Sequence, residues 1–492
     1  MTALPSSWAT APLGDVASVQ LGKMLDRARN TGEPTPYLRN INVRWGSFDL
    51  GDVLTVPLSD EERRTYAIRD GDLMACEGGE PGRCAVWRGG PTEIKYQKAL
   101  HRVRLEEDIS PELLALYLRH LAAEQELQEH FTGTTIKHLP RAAFMRVPIP
   151  IPPLAEQRRI VAKLDRLSAR SAAAREHLAR TQTLAARAKQ ATLAAAFRGD
   201  LTAEWRDVNG IVLDHARATE AAAFGERERL EQKNRTRRGR KSAPDHHRTA
   251  VALDVPNVWC LSALEKLSSP ARLIQYGILK PGPDQAGGIP YVKVLNIRDG
   301  VVNVATIRHT THEIHKNYAR SSLREGDLLL TIRGTVGRLA FAPVELHGGN
   351  ITQDTVRIDI LHQINPVFVF WYLHSPCAEQ YFRSNEKGVA VRGINVGDVR
   401  PMEVPLPSRE EQNEIVRRIE AAFARIDRLA AEAARAAHLL DRLDERLLAR
   451  AFRGELVPQD PADEPAQALL ARIRAARAAA PKPKRARRRA AP

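Results

Sequence analysis

The sequence predicts an α+β chain: two repeated strand-rich domains, each followed by a long α-helix, with the two helices pairing inside the chain as a coiled coil. Three observations carry this expectation. AFRGDL at Ala196–Leu201 returns as AFRGEL at Ala451–Leu456, and Phe197 and Phe452 lie 255 positions apart in a chain of 492 residues, so one unit is written twice. In each copy the pattern changes from short alternating segments to a helical period, after Pro153 and after Ser408. Within the second helical stretch Ile415, Ile419, Ala422, Ile426, Leu429, Ala433, Ala436, Leu440, Leu443 and Leu447 follow alternating steps of four and three, the pattern of a coiled-coil seam.

In chain order, residues 1–152 read as the first strand-rich domain. Its turns are marked by Gly, Pro and Asp, and alternating segments such as Val43–Leu54 read as strands. Residues 153–200 read as the first long helix, with Pro153 suited to a first turn that needs no N–H and Gly199 as its stop. Its seam, Ile160, Leu164, Leu167, Ser171, Ala174, Leu178, Thr181, Ala185, Ala188 and Thr192, has smaller and partly polar knobs. Residues 201–255 read as a basic exposed linker containing KNRTRRGRKSAPDHHR from Lys233. The second domain, 256–407, repeats the first: RDGDLMACEGGEPGR from Arg69 aligns with REGDLLLTIRGTVGR from Arg324, and YLRNINVRWG from Tyr37 with YVKVLNIRDG from Tyr291. Residues 408–455 read as the second long helix, opened by a capping-box spacing at Ser408–Glu411 and closed by Gly454. Residues 456–492 read as a basic disordered tail ending in PKPKRARRRAAP. A lone apolar stripe of such length needs a partner, and the other copy supplies it. Parallel and antiparallel pairing both satisfy the pattern.

A formal charge of +15 and a pI near 9.9 make a polyanion the first partner to consider. Nucleic acid is favoured over membrane, because no apolar run approaches the roughly 20 residues of a membrane span and the N-terminus lacks the pattern of a signal peptide; a cytoplasmic protein is expected. Cys76, Cys84, Cys260 and Cys377 show no CxxC spacing and suit a reducing compartment.

Catalytic machinery is not legible. GGEPGR and RGTVGR are too short for a phosphate loop and lack its Lys-Ser/Thr pair; HEIHK at His312 has Lys316 where a zinc-protease helix needs histidine; His246-His247 has no spaced partner. Asp72 with Glu93-Ile94-Lys95 faintly matches a nuclease pattern, but the other copy carries Gly348-Gly349-Asn350 there. No motif for methylating an exocyclic amine is found, and no metal ligand set or bound cofactor is expected.

TIKHLPRAAFMRVPIPIPPLAEQRRIVAKLD from Thr135, its degenerate copy VRGINVGDVRPMEVPLPSREEQNEIVRRIE from Val391, the GDL segments with their glycine turns, and FRGELVPQDPADEPA from Phe452 together resemble the specificity subunit of Type I restriction-modification systems. The resemblance covers nearly the whole chain. It implies two target-recognition domains, each reading half of a split, asymmetric site in double-stranded DNA, held apart by an antiparallel coiled coil. It also implies two modification subunits, which carry S-adenosylmethionine and methylate adenine, and restriction subunits that use ATP and Mg. The second copy departs from the pattern at Leu406–Arg409, where Leu-Pro-Ser-Arg replaces Ile-Pro-Pro-Leu.

Phosphate contacts position a protein on DNA and base-edge contacts specify sequence. The candidate DNA-binding residues are Arg39, Asn42, Arg44, Lys137 and His138 in the first domain, and Lys293, Asn296, Arg298, Arg333, Arg338, Arg392 and Asn395 in the second. Lys137 and Arg392 stand at equivalent positions, four residues after Gly133 and Gly388. Candidates for the spacer and for docking partners are Glu156, Gln157, Ile160, Leu164, Leu167, Glu411, Gln412, Ile415, Ile419, Ile426 and Leu440. The rival reading is a coiled-coil scaffold with non-specific nucleic-acid affinity through its linker and tail.

Overall fold

The computed structural model describes residues 4–26, 30–90, 92–234, 253–388 and 392–479. It divides into two compact units, Met1–Leu178 with Ala434–Pro492, and Ala179–Ala433; the division falls inside both long helices.

In the first unit a four-stranded antiparallel sheet orders Ala17–Leu21, Leu100–Leu105, Leu73–Cys76 and Cys84–Val86. A three-stranded sheet orders Leu54–Leu58, Glu33–Leu38 and Lys95–Tyr96, the last pair parallel. Ala9–Pro12 pairs with Pro148–Ile151, the strand that leads into the first long helix. The second unit repeats all three sheets in the same order: Gln275–Tyr276, Thr355–Ile358, Leu328–Thr331, Leu339–Phe341; then Arg308–Thr310, Ile289–Val292, Asn350–Ile351; then Cys260–Ala263 with Glu403–Leu406. The GDL motifs anchor these sheets. Asp72 is buried and takes two 2.7 Å hydrogen bonds from Arg104, while Asp327 takes two of 2.6 Å from Arg272.

The long helices span Leu154–Phe197 and Arg409–Phe452, 44 residues each. They pair antiparallel within each unit. In the first, Ile160 and Leu164 share a core with Leu448, Ala451 and Phe452, and Arg175 bonds Asp441 and Asp444; as one helix advances, its partners step back. In the second, Gln182 reaches the Ala430 carbonyl and Lys189 pairs with Asp427. The seam departs from the expected heptad. Leu429 and Leu443 are 53% and 46% exposed, whereas Leu448, outside the expected positions, is buried. Buried and half-buried positions follow Ile415, Ile419, Ala422, Ile426, Ala430, Ala433, Ala437, Leu440, Asp444, Leu448 and Ala451, close to the period of a straight helix, against which a strict heptad drifts about 20° per repeat.

Two segment readings are corrected. The stretch 201–255, expected as an exposed linker, carries helices at Ala203–Val208 and Leu213–Asn234; Ala223 joins the core that contains Trp259, and Arg227 donates to the Ser268 carbonyl at 3.1 Å. The tail from 456 carries a helix at Ala466–Ala479. Its Ala466, Leu469, Leu470 and Ile473 have i, i+3, i+4, i+7 spacing and enter the core of the first unit beside Leu13 and Val16. Arg472, Arg474 and Arg477 on the same helix mask that stripe in the composition. The polycationic stretch from Lys233, with His246-His247, and PKPKRARRRAAP lie outside the described residues, except for the helical backbone of Lys233 and Asn234.

Each long helix ends at a glycine with positive φ, 83° at Gly199 and 74° at Gly454. A Cβ there would meet Pro256 at 2.3 Å and Pro5 at 2.3 Å, respectively. The repeated AFRG motif therefore closes the helix tightly against the start of a strand-rich domain.

Candidate functional site

The Glu-Gln pair that opens each long helix is a buried clamp. Glu156 accepts from the Trp8 indole at 3.0 Å and from Gln459, and burial raises its pKa against these hydrogen bonds. Glu411 accepts from the Trp259 indole at 2.9 Å, Thr202 at 2.7 Å and Arg206 at 2.6 Å. Gln157 and Gln412 accept from the backbone N–H of Ser110 and Asn365 and donate to the carbonyls of Pro152 and Pro407. All four side chains are at most 1% exposed. The reading of them as docking residues is corrected: each satisfies the chain's own buried donors and acceptors and fixes its domain to the helix start. Ile160, Leu164, Ile415 and Ile419 are buried in the same cores, while Leu167, Ile426 and Leu440 are half-buried along the seam.

At the loop face of the first domain three segments converge. Asn40–Asn42 forms a 3-10 turn running into a hairpin, Val43–Arg44 with Ser47–Phe48. The turn receives Arg83 on the Asn40 carbonyl at 2.9 Å and donates from Asn40 to the Gly78 carbonyl at 3.3 Å. Gly78 in turn bridges His138, on the loop that carries Lys137. Arg44 and Lys137 are exposed, Arg44 in a loose 3.6 Å pair with Asp49. The other candidates are engaged internally: Arg39 pairs with Asp52 at 2.6 Å, and His138 faces Glu77 at 3.0 Å. Asn42 is buried and ties the Arg39 N–H to the carbonyls of Asp49 and Asp52.

The second domain repeats the arrangement. The Val294–Asn296 turn runs into the hairpin Ile297–Arg298 with Val301–Val302. Arg338 donates to the Val294 and Ile297 carbonyls at 3.3 and 3.2 Å, and Arg333 bridges Gly393 next to Arg392. Asn296 is buried on Thr306 and the Lys293 N–H. Asn42 and Asn296 are thus corrected from base contacts to supports of the turns, and half-buried Arg338 supports its turn through Nη1. Arg298, Arg333, Arg392 and Asn395 are exposed, and none of the three arginines has an acidic partner among the described residues. Lys293, Leu295, Asn296, Arg298, Asn303, Thr306 and Arg308 line one concavity. Sequence reading missed Arg308 and Asn303; the alternating segment after Val301 was the available signal.

The nuclease-like set does not assemble as a site. Asp72 is held by Arg104, and buried Lys95 donates to the Thr92 carbonyl at 3.2 Å. No cluster of His, Cys, Asp and Glu suited to a metal occurs among the described residues, and no helix there is long and apolar enough to cross a membrane.

Two copies of one loop-bearing domain, each clamped to an internal antiparallel helix pair, define a tandem recognition protein. Its match to the family model "Type I restriction modification DNA specificity domain" covers residues 5–179 and 280–434, and the chain belongs to that family, as a specificity subunit of a Type I restriction-modification system. It is 32% identical over 357 residues to the Escherichia coli EcoBI specificity subunit, covering 71% of this chain and 68% of that one. It is 26% identical over 502 residues to the EcoKI specificity subunit of E. coli K12, covering 97% of each. In fold it is similar to the HsdS subunit of Thermoanaerobacter tengcongensis, at 20% identity and a TM-score of 0.55, covering 92% of this chain and 98% of that one. A chain from a study of complex assembly and conformational transition of the type I R-M system gives 20% identity and a TM-score of 0.59, covering 92% and 100%.

Proposed function

We propose that this chain reads a bipartite, asymmetric site in double-stranded DNA, one half with each loop face, and that the helix pair sets the gap between the halves. The observation that carries this is the recurrence of one support scheme under two differently charged faces. Arg83 and Arg338 pin the same turn, while the side chains presented are Arg44 and Lys137 on one face and Arg298, Arg308, Arg333 and Arg392 on the other. A fixed frame with variable tips suits two half-sites of unlike sequence. Arg298, Arg308, Arg333 and Arg392, without acidic partners among the described residues, supply phosphate attraction and bidentate readout of guanine.

In this reading the chain has no catalytic centre and acts in the cytoplasm as an adaptor. Two modification subunits carry S-adenosylmethionine and methylate adenine, and restriction subunits use ATP and Mg. Buried Glu156, Gln157, Glu411 and Gln412 leave partner docking to exposed positions of the helices, where Leu184, Leu429, Leu439 and Leu443 are 46–60% exposed.

Base-resolution mapping of adenine methylation, in cells expressing this chain with its neighbouring modification subunit and in cells lacking only this chain, tests the proposal. A split motif with a fixed gap that appears only with the chain is expected. No new methylation from an intact complex would overturn it in favour of a scaffold.

A further inference from the structure

We infer that Ile41 and Leu295, at equivalent positions in the two domains, read the 5-methyl group of a thymine in each half-site; this rests on the assignment of the loop faces to DNA. Each is the middle residue of its 3-10 turn, and they are 44% and 71% exposed. Single exposed apolar side chains are common on protein surfaces, but two features set this pair apart and a third marks Leu295.

The first is position: RNIN from Arg39 and KVLN from Lys293 differ at three of four residues, yet both place an aliphatic side chain third. The second is rigidity. Asn42 and Asn296 fasten the turns from inside, Arg83 and Arg338 hold their carbonyls, and Asn40 adds a hydrogen bond to the Ile41 N–H at 3.0 Å. A turn fixed on this many bonds holds an aliphatic group in water, with no gain to the fold from burying it.

The third is surroundings. Leu295 lines its concavity with Lys293, Arg298 and Arg308, three cations that suit phosphates. Base edges in the major groove present hydrogen-bonding groups and one apolar group, the thymine methyl. A branched aliphatic side chain offers no hydrogen bond, so a base contact from it reads that methyl.

The test uses the complex of this chain with its modification subunit and duplexes carrying the mapped motif, with each thymine replaced in turn by uracil, which lacks only the methyl. One replacement in each half-site should weaken binding about fourfold, the equivalent of about 0.8 kcal/mol for one buried methyl. Ile41→Ala should abolish that sensitivity in one half-site and Leu295→Ala in the other. Unchanged uracil sensitivity in both variants, or equal weakening on every duplex, overturns the inference. Arg44→Ala and Arg392→Ala separate the two levels: if these alter the motif while the aliphatic variants do not, only the thymine reading fails. If all four leave motif and affinity unchanged, the assignment of the faces has failed.

Discussion

Glu156 and Glu411 occupy the same motif position, yet replacing each with glutamine should have unequal consequences. Glu411 is fully buried and accepts from Arg206, whose side chain is 12% exposed and which also reaches the Gly199 carbonyl at 2.9 Å. Glu411→Gln leaves that guanidinium facing a neutral amide, and a buried pair broken from one side costs about 3–5 kcal/mol. Glu156 accepts only neutral donors, the Trp8 indole and the Gln459 amide, while nearby Arg159 is engaged by Asp463 at 2.6 Å. A glutamine there keeps one acceptor, at a cost of about 1 kcal/mol, the net worth of one hydrogen bond. Urea unfolding of the full chain followed by tryptophan fluorescence should therefore separate the variants by about 2–4 kcal/mol, with Glu411→Gln the weaker. Acidity adds a second reading. Burial raises the Glu156 pKa above its usual 4.5, so over that window the folded state binds more protons than the unfolded one. The wild type's advantage over Glu156→Gln should then shrink as pH rises from 4.5, by at most about 1.4 kcal/mol per unit. Equal destabilisation by the two substitutions would refute the contrast drawn between a charged and a neutral clamp. An advantage that grows with pH would refute the sign.

Arg392→Ala should relax selectivity at one base pair by roughly 1–3 kcal/mol in methylation mapping, whereas a uniform loss over all sequences would mark a phosphate contact. Arg338→Ala, which frees the Val294 and Ile297 carbonyls, should lower the melting temperature and blur one whole half-site. A variant of wild-type stability with a single altered base would contradict its role as a support. Removing residues 174–180 together with 436–442 should shorten the helix pair by about 10 Å, close to three base-pair steps, and narrow the gap in the methylated motif accordingly. An unchanged gap would remove the spacer reading.

The repeat made the domain order legible because every sheet, clamp and helix stop recurs near one offset: Trp8 and Trp259, Glu156 and Glu411, Gly199 and Gly454. What it concealed lies where composition outweighs periodicity. Ala466–Ala479 carries three arginines against a short apolar stripe, and its core neighbours, Leu13 and Val16, lie at the other end of the chain, beyond any local signal. The same limit applies to the candidate contacts. Residue type nominates Asn42 and Asn296, but the turns consume their hydrogen-bonding groups, and a buried polar side chain already satisfied internally cannot also serve a base without leaving a buried group unpaired. Residue type likewise hides Ile41 and Leu295, since an aliphatic side chain in a strand-rich domain reads as core until its exposure is known. The chemistry of a face of this kind is therefore set by what its framework leaves over: the cations without acids and the apolar groups without a core.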